Sequence, residues 1–267
     1  MTDVKKSVWR TEKVRRYLLV AAFFFATIGV WDGAVRVFEV PTYILPTPDE
    51  TLSSIINDLK SKMVWRQSWV TAYESLWGFI IGCATGFILG ILIAESRTIE
   101  AMIYPYIVAF QTLPKVAVAP LIVIWFGFGI TSKVLIAATV VFFPLLVNVV
   151  VGLKSADQET LDLMKALSSS RWQVFKMVKL PNALPIIFAG LEVAIIFCVI
   201  GAVVGEFVGS KEGLGHLIII RNFNMDVAGV FSCLILLGVM GFILQQIVRQ
   251  AYHKLVHWVE VAPVRGV

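Results

Sequence analysis

Six apolar blocks, each long enough to cross a bilayer as a helix, dominate the chain. They run over roughly 17–38, 68–93, 99–125, 133–153, 184–205 and 228–250. Hydrocarbon offers a bare backbone no hydrogen-bond partner, so apolar blocks of about 20 residues must be helices. Apolar residues make up 58% of the 267 and charged residues 15%, whereas a soluble domain carries about 25% charge. The pattern predicts an all-α integral membrane protein with about six transmembrane helices. The first block follows Lys5, Lys6, Arg10, Lys13, Arg15 and Arg16, a basic start shared with signal peptides. Its apolar run continues through Trp31 and Val37 with no small-residue cleavage site, which predicts an uncleaved anchor.

The net charge of +5 is compatible with nucleic-acid binding, but the distribution of the cations points to membrane orientation instead. Fifteen of the 23 Lys and Arg residues fall before block 1, between blocks 2 and 3, between blocks 4 and 5, or from the end of block 6 (Arg249) onward. Seven fall on the other side: Arg36, Lys60, Lys62, Arg66, Lys133, Lys211 and Arg221. Lys115 lies within block 3. The excess predicts both termini in the cytoplasm. The expected organisation is a basic cytoplasmic N-terminus (1–16), a first anchor (17–38), an extracytoplasmic segment (39–67), a five-helix core (68–250) and a cytoplasmic tail (251–267). The core includes a cytoplasmic loop at 154–185.

Gly78, Gly82, Gly86 and Gly90 recur every four residues, as do Gly201, Gly205 and Gly209. Such stripes let another backbone approach closely. The partner helix is either in the same chain or in a second copy. Cys83, Cys198 and Cys233 lack metal-ligand spacing and read as small packing residues. In block 3, Gln111-Thr112-Leu113-Pro114-Lys115 predicts a broken helix, and Pro144 with Asn148 predicts a polar break in block 4. Charges within the spans are costly and should face protein or water. Lys115, Glu206 and Glu74 are the candidates for a translocation pathway, and Glu95 reads as a structural residue at a span boundary. Gly127-Phe128-Gly129 lacks the setting of a nucleotide loop, and no Gly-Lys-Ser/Thr phosphate cradle occurs, so the chain is not expected to bind ATP. His253 and His257 stand four apart but have no further ligand nearby, and no catalytic constellation is evident.

Between blocks 4 and 5, Ser155-Ala156-Asp157-Gln158 fits a capping box that starts a helix near Ala156. Leu161, Met164 and Leu167 follow at helical spacing and would supply its apolar contacts. Ser168-Ser169-Ser170 weakens that helix, and Ser170-Arg171-Trp172-Gln173 offers a second capping box. Pro181 is expected to end this second helix, with Asn182 capping span 5 and Pro185 in its first turn. The result is a cytoplasmic helical hairpin able to enter a groove of a soluble partner.

The run Asp162-Leu163-Met164-Lys165-Ala166-Leu167-Ser168-Ser169-Ser170-Arg171-Trp172-Gln173-Val174-Phe175 resembles the EAA loop of bacterial ABC-importer permeases. So do the following Leu180-Pro181-Asn182-Ala183-Leu184-Pro185 and Gly190-Leu191. The chain is similar to the nitrate/sulfonate/taurine branch along most of its length, through Leu45-Pro46-Thr47-Pro48, Leu113-Pro114-Lys115, Trp125-Phe126-Gly127, Gly205-Glu206 and Gly213-Leu214-Gly215. It departs from the motif at Asp162, Leu163 and Met164, where Glu-Ala-Ala is usual, and at Ser168, where a glycine is usual. The resemblance implies that this loop is the coupling element, carried by Leu161, Asp162, Met164, Ala166, Leu167, Ser168, Ser170, Arg171 and Trp172. It implies a bacterial inner-membrane permease without a cofactor or ATPase site of its own. Its partners would be two ATP-binding subunits that hold ATP and Mg, a second permease copy, an extracytoplasmic solute-binding protein and membrane lipid. The solute would be a small polar one: an inorganic anion, a sulfonate or an aromatic or heterocyclic nutrient. A secondary transporter or channel without ATPase subunits is the competing reading.

Overall fold

In a computed structural model, residues 2–258 are described, with side chains from Arg15 and Tyr17 onward. The tail after 258, including Arg265, and the side chains of Lys5, Lys6, Arg10, Lys13 and Arg16 lie outside the described residues. The described chain is helical: α1 (Thr2–Val37), α2 (Pro48–Lys60), α3 (Lys62–Glu95), α4 (Arg97–Gln111), α5 (Lys115–Phe126) and α6 (Ile130–Lys154) come first. They are followed by α7 (Gln158–Ala166), α8 (Arg171–Val174), a π-turn (Phe175–Lys179), α9 (Leu180–Gly209), α10 (Leu214–Phe223) and α11 (Val227–Leu255).

Among the described residues, five helical stretches are long and apolar enough to span a membrane; α4 and α5, bent by 99°, make a sixth if taken as one span. That bend sits at Pro114, which caps α5 and cannot continue α4. The expected break in block 4 is absent. The α6 helix passes through Pro144 without interruption, and the Asn148 side chain donates back to Pro144 O at 2.8 Å.

At the centre, α6 lies between α3 and α9. The glycine stripes explain why it can. A Cβ on Gly82 would fall 2.6 Å from Ala138 O, and one on Gly86 would fall 2.9 Å from Phe142 O. Gly78 and Gly90 meet Ala137 and Val149, while Gly201 and Gly205 meet Ala137 and Lys133. Both stripes therefore serve packing within the chain. Leu145, Val149 and Leu153 fill the layer between α6 and the Ala183–Ile187 turn of α9. The three cysteines are free thiols, and Cys198 Sγ donates to Ser75 O at 2.6 Å.

The loop after α6 differs from expectation in three places. Its first helix is capped by Asp157, whose carboxylate accepts from Thr160 N at 3.0 Å; Ser155 instead turns back to Gly152 O. Pro181 does not end the second helix. The π-turn shifts the hydrogen-bond register just ahead of it, with Leu180 N bonded to Phe175 O, and the helix runs on unbroken from Arg171 to Gly209. Asn182 is therefore no cap, and its side chain donates to Ser155 Oγ at 3.0 Å. The second capping box is formed as expected, with Ser170 and Gln173 bonding reciprocally.

Candidate coupling surface and buried polar cluster

The hairpin owes its shape to a tight turn at the end of α7. Ser168 N bonds to Lys165 O at 2.9 Å and Ser169 N to Met164 O at 3.0 Å, which together make a Schellman motif. That motif needs a left-handed residue after the cap, and Ser168 takes it at φ 53°. The serine thus adopts the conformation for which glycine is usual. The hairpin is also braced from within. Asp162 accepts from Lys165 Nζ at 2.7 Å and from Gln158 Nε2 at 3.0 Å. The hydrogen bond from Lys165 holds the Asp162 carboxyl below its ordinary range, as those from Thr160 do for Asp157. Lys179 bonds Glu95 at 2.7 Å and ties the hairpin to the end of α3.

Successive residues of α7 turn by about 100°, so two faces separate cleanly. Leu161 and Met164 are half-buried toward their own chain, and Met164 Sδ lies 3.8 Å from Ser169 Oγ. Leu163, Ala166 and Leu167 face outward, with Leu163 59% and Leu167 67% exposed. Trp172 is 67% exposed and stacks on Phe175 at 5.6 Å. Leu167 therefore matches the expected outward face, while Leu161 and Met164 are inward anchors. Leu163, which the helical period of Leu161, Met164 and Leu167 passes over, shares this outward face. Arg171 and Ser170 are exposed at the start of α8, and Arg171 borders a cleft of about 360 Å³ with Glu95 and Leu161.

Of the three intramembrane charges named from the sequence, the structure brings two together. Glu206 on α9 is completely buried and Glu74 on α3 nearly so; the two carboxyls are neighbours, and Glu74 Oε2 has no hydrogen-bond partner among the described residues. Glu206 accepts from Thr71 Oγ1 at 2.6 Å and from Gly215 N at 2.5 Å. Leu214 N donates to Thr71 Oγ1 at 2.8 Å, and Gly213 N to Gln67 Oε1 at 2.5 Å. The Glu206 carboxyl thus receives the start of α10, and α3 holds the same loop from its other side. Gly213 permits this approach: its φ is 106°, and a Cβ there would overlap the Glu206 carboxyl.

Neither Glu74 nor Glu206 borders open space in this conformation, because the cluster is sealed between α3, α9 and α10. Lys115 is elsewhere. It is half-buried, lies 5.1 Å from the Phe143 ring centre, and borders a cavity of about 240 Å³ with Val140, Phe197 and Gly201. Lys133 was counted from the sequence as a loop cation, but it is 1% exposed. Its Nζ donates to Phe128 O at 2.5 Å and to Gly209 O at 2.7 Å, the latter at the carbonyl end of α9 where a cation is favoured. Only the folded chain places those two carbonyls side by side.

Comparison with known proteins bears on what such a chain does. Residues 86–256 match the family model of the binding-protein-dependent transport system inner membrane component. A probable ABC transporter permease protein of Haemophilus influenzae is 36% identical over 78% of this chain and 84% of its own length. The riboflavin transport system permease protein RibX of Chloroflexus aurantiacus is 36% identical over 85% of both chains. Further relatives are named for transport of formylaminopyrimidine, aliphatic sulfonates and taurine. Among solved structures, an inward-facing form of the MetNI methionine ABC transporter shares the fold, with a TM-score of 0.64 at 16% identity over 72% of this chain and 95% of that one. Such a permease has no ATPase domain and needs no cofactor in its own chain. This sets aside the secondary transporter or channel: the chain belongs to the family of binding-protein-dependent transport system inner membrane components and is a membrane-spanning permease subunit of an ABC importer.

Proposed function

We propose that the outward face of the hairpin, made by Leu163, Ala166, Leu167 and Trp172, is where this permease docks on the ATP-binding subunits of its transporter. The observation that carries the reading is large apolar side chains exposed on a doubly capped, internally bonded hairpin outside the membrane spans. Apolar side chains held rigidly in water are suited to a partner's groove. Two ATP-binding subunits would serve two copies of this chain, with the termini and the hairpin in the cytoplasm and residues 39–67 on the outer side. A solute-binding protein would deliver the solute there, and the subunits that bind ATP would also hold its Mg.

The helix that leaves the hairpin suggests how motion travels. From Arg171 to Gly209 it is one element of 39 residues, roughly 58 Å long at 1.5 Å per residue. It starts at the docking face and ends just beyond Glu206. Displacing the hairpin would move the far end of α9, and with it the loop held by Glu206, between inward- and outward-open states. Lys115, beside its cavity at the α4–α5 bend, is our candidate for contact with the solute. In this reading Glu74 and Glu206 act on the pathway through the helices they join. The names of the relatives favour a small polar or heterocyclic solute, such as a sulfonate or a flavin- or pyrimidine-like nutrient.

Burying a leucine side chain is worth about 1.5–3 kcal/mol. Leu167→Asp is therefore expected to weaken docking at least about tenfold, while insertion in the membrane is unchanged. Ser168→Gly, which keeps the left-handed turn without strain, is expected to retain docking. Co-purification with the ATP-binding subunits and solute-stimulated ATP hydrolysis in reconstituted membranes read both variants. Wild-type values for Leu167→Asp would refute the docking face.

A further inference from the structure

Helix α2 is buried the wrong way round for a helix in water. Its polar residues Thr51 and Asp58 are 3% and 5% exposed, while Leu52, Ile56 and Leu59 are 56%, 45% and 47% exposed. At about 100° per residue, the helix divides into three faces. Thr51, Ile55 and Asp58 face the protein. Leu52, Ile56 and Leu59 form an apolar stripe beside them. Ser53, Asn57 and Lys60 make the remaining polar face, and both Ser53 and Asn57 are exposed.

The inward face is fixed by charge. Arg221 of α10 donates to the Asp58 carboxylate at 2.5 and 2.7 Å, and Ser232 of α11 donates to it at 2.6 Å. The same guanidinium reaches Gly229 O at 2.6 Å. With Asp58 held in this way, the helix cannot roll its leucines inward.

The apolar stripe lies next to the start of a membrane span. Ser61 alone separates α2 from α3, and the stripe leads into Met63, Trp65, Trp69 and Tyr73, all exposed. Trp65 Nε1 donates to Leu59 O at 2.9 Å, so the junction is pinned. Lys60 and Lys62 flank the junction and are exposed, and Arg66, one turn on, pairs with Glu212. Tryptophans with lysine and arginine mark the headgroup region of a bilayer, where the ring is half in hydrocarbon and the cation meets phosphate.

We propose that α2 is an interfacial helix lying along the headgroup boundary of the bilayer, with one face on the protein, one in lipid and one in water. The Asp58–Arg221 pair sets its rotation, and Leu52, Ile56 and Leu59 enter the acyl boundary. Lipid is the occupant because Ser61 alone separates the stripe from the exposed Met63, Trp65 and Trp69 of the spanning helix α3, and because Lys60 and Lys62 at the junction complement phosphates. The inference holds for whichever leaflet α2 meets and does not depend on the docking of the hairpin.

The test uses the assembled transporter in nanodiscs of phosphatidylethanolamine and phosphatidylglycerol, with Cys83→Ala to leave only the buried Cys198 and Cys233. A bimane label is placed at Ile56→Cys and, separately, at the adjacent exposed position by Asn57→Cys. Lipid carrying a doxyl group near the headgroup should quench the label at 56 and leave that at 57 bright. Aqueous iodide should do the reverse. Iodide quenching at both positions with no quenching by doxyl lipid would overturn the proposal. Protection of position 56 that appears only when the solute-binding protein is added would also overturn it, and would make the stripe a protein-docking face.

Discussion

Arg221→Ala is expected to remove about 3–5 kcal/mol of stability, since breaking a buried pair leaves the other charge uncompensated. Asp58, 5% exposed in the wild type, would be left with one hydroxyl donor, Ser232, in place of a bidentate guanidinium and that hydroxyl. Three elements loosen together: α2, α10 and the start of α11, where Arg221 also bonds Gly229 O. Thermal unfolding of the purified permease in detergent, monitored by the near-ultraviolet signal of its tryptophans, reads the loss. Asp58→Asn with Arg221 intact should cost less, because the amide keeps one acceptor for the guanidinium and one donor for a neighbour. The same pair sets an acid limit. Burial pushes the Asp58 carboxyl up, but the bonds from Arg221 and Ser232 outweigh it and hold the group below the ordinary carboxylate range. A depressed folded value means that the contribution is complete above the unfolded value, about 3.9, and is lost as pH falls through the folded one. Stability of the wild type should therefore drop more steeply in acid than that of Arg221→Ala. Equal stability of the two proteins at neutral pH would show that the pair is incidental.

Gly82→Leu should leave no correctly folded permease in the membrane. The nearest obstacle to its Cβ is the Ala138 carbonyl at 2.6 Å, a backbone atom of α6 that no side-chain rotation can move. Accommodating the substitution would push α3 off α6 and open the layer filled by Val141 and Cys198. Overpacking costs about 1–3 kcal/mol where neighbours can adjust, and here they cannot. Gly33→Leu is the control, because a Cβ at that position of α1 would meet no atom within 4 Å beyond its own turn of helix. Fluorescence of a folded reporter after size-exclusion chromatography should be lost for the first and kept for the second. A monodisperse Gly82→Leu peak would mean that the α3–α6 contact is looser than the glycine stripe indicates.

The parts of this fold that were legible from sequence are those fixed by local physics. Apolar length gave the spans, Pro114 gave the bend, and Ser170 with Gln173 gave the cap of α8. The hidden parts depend on pairings between distant segments. Lys133 looked like a loop cation because its acceptors, Phe128 O and Gly209 O, are brought together only by the return of α9. The surroundings of Glu206 were equally hidden, because the sequence cannot show that Thr71 and the amide of Gly215 converge on its carboxyl. Pro181 looked like a helix end, since proline usually is one; the π-turn that absorbs it carries no plain sequence mark. The rotation of α2 was illegible for the same reason, because Asp58 faces inward only on account of Arg221, 163 residues away.

The docking of the hairpin on an ATP-binding subunit is tested most directly by a cross-link. Leu167→Cys places a thiol at the exposed C-cap of α7 without a change of charge. A short bismaleimide linker added to membranes holding the assembled transporter should yield a permease–ATPase adduct from position 167, and none from Leu161→Cys, whose side chain faces its own chain. Adducts from position 167 that join only permease to permease, or that form equally from position 161, would contradict the docking surface described here.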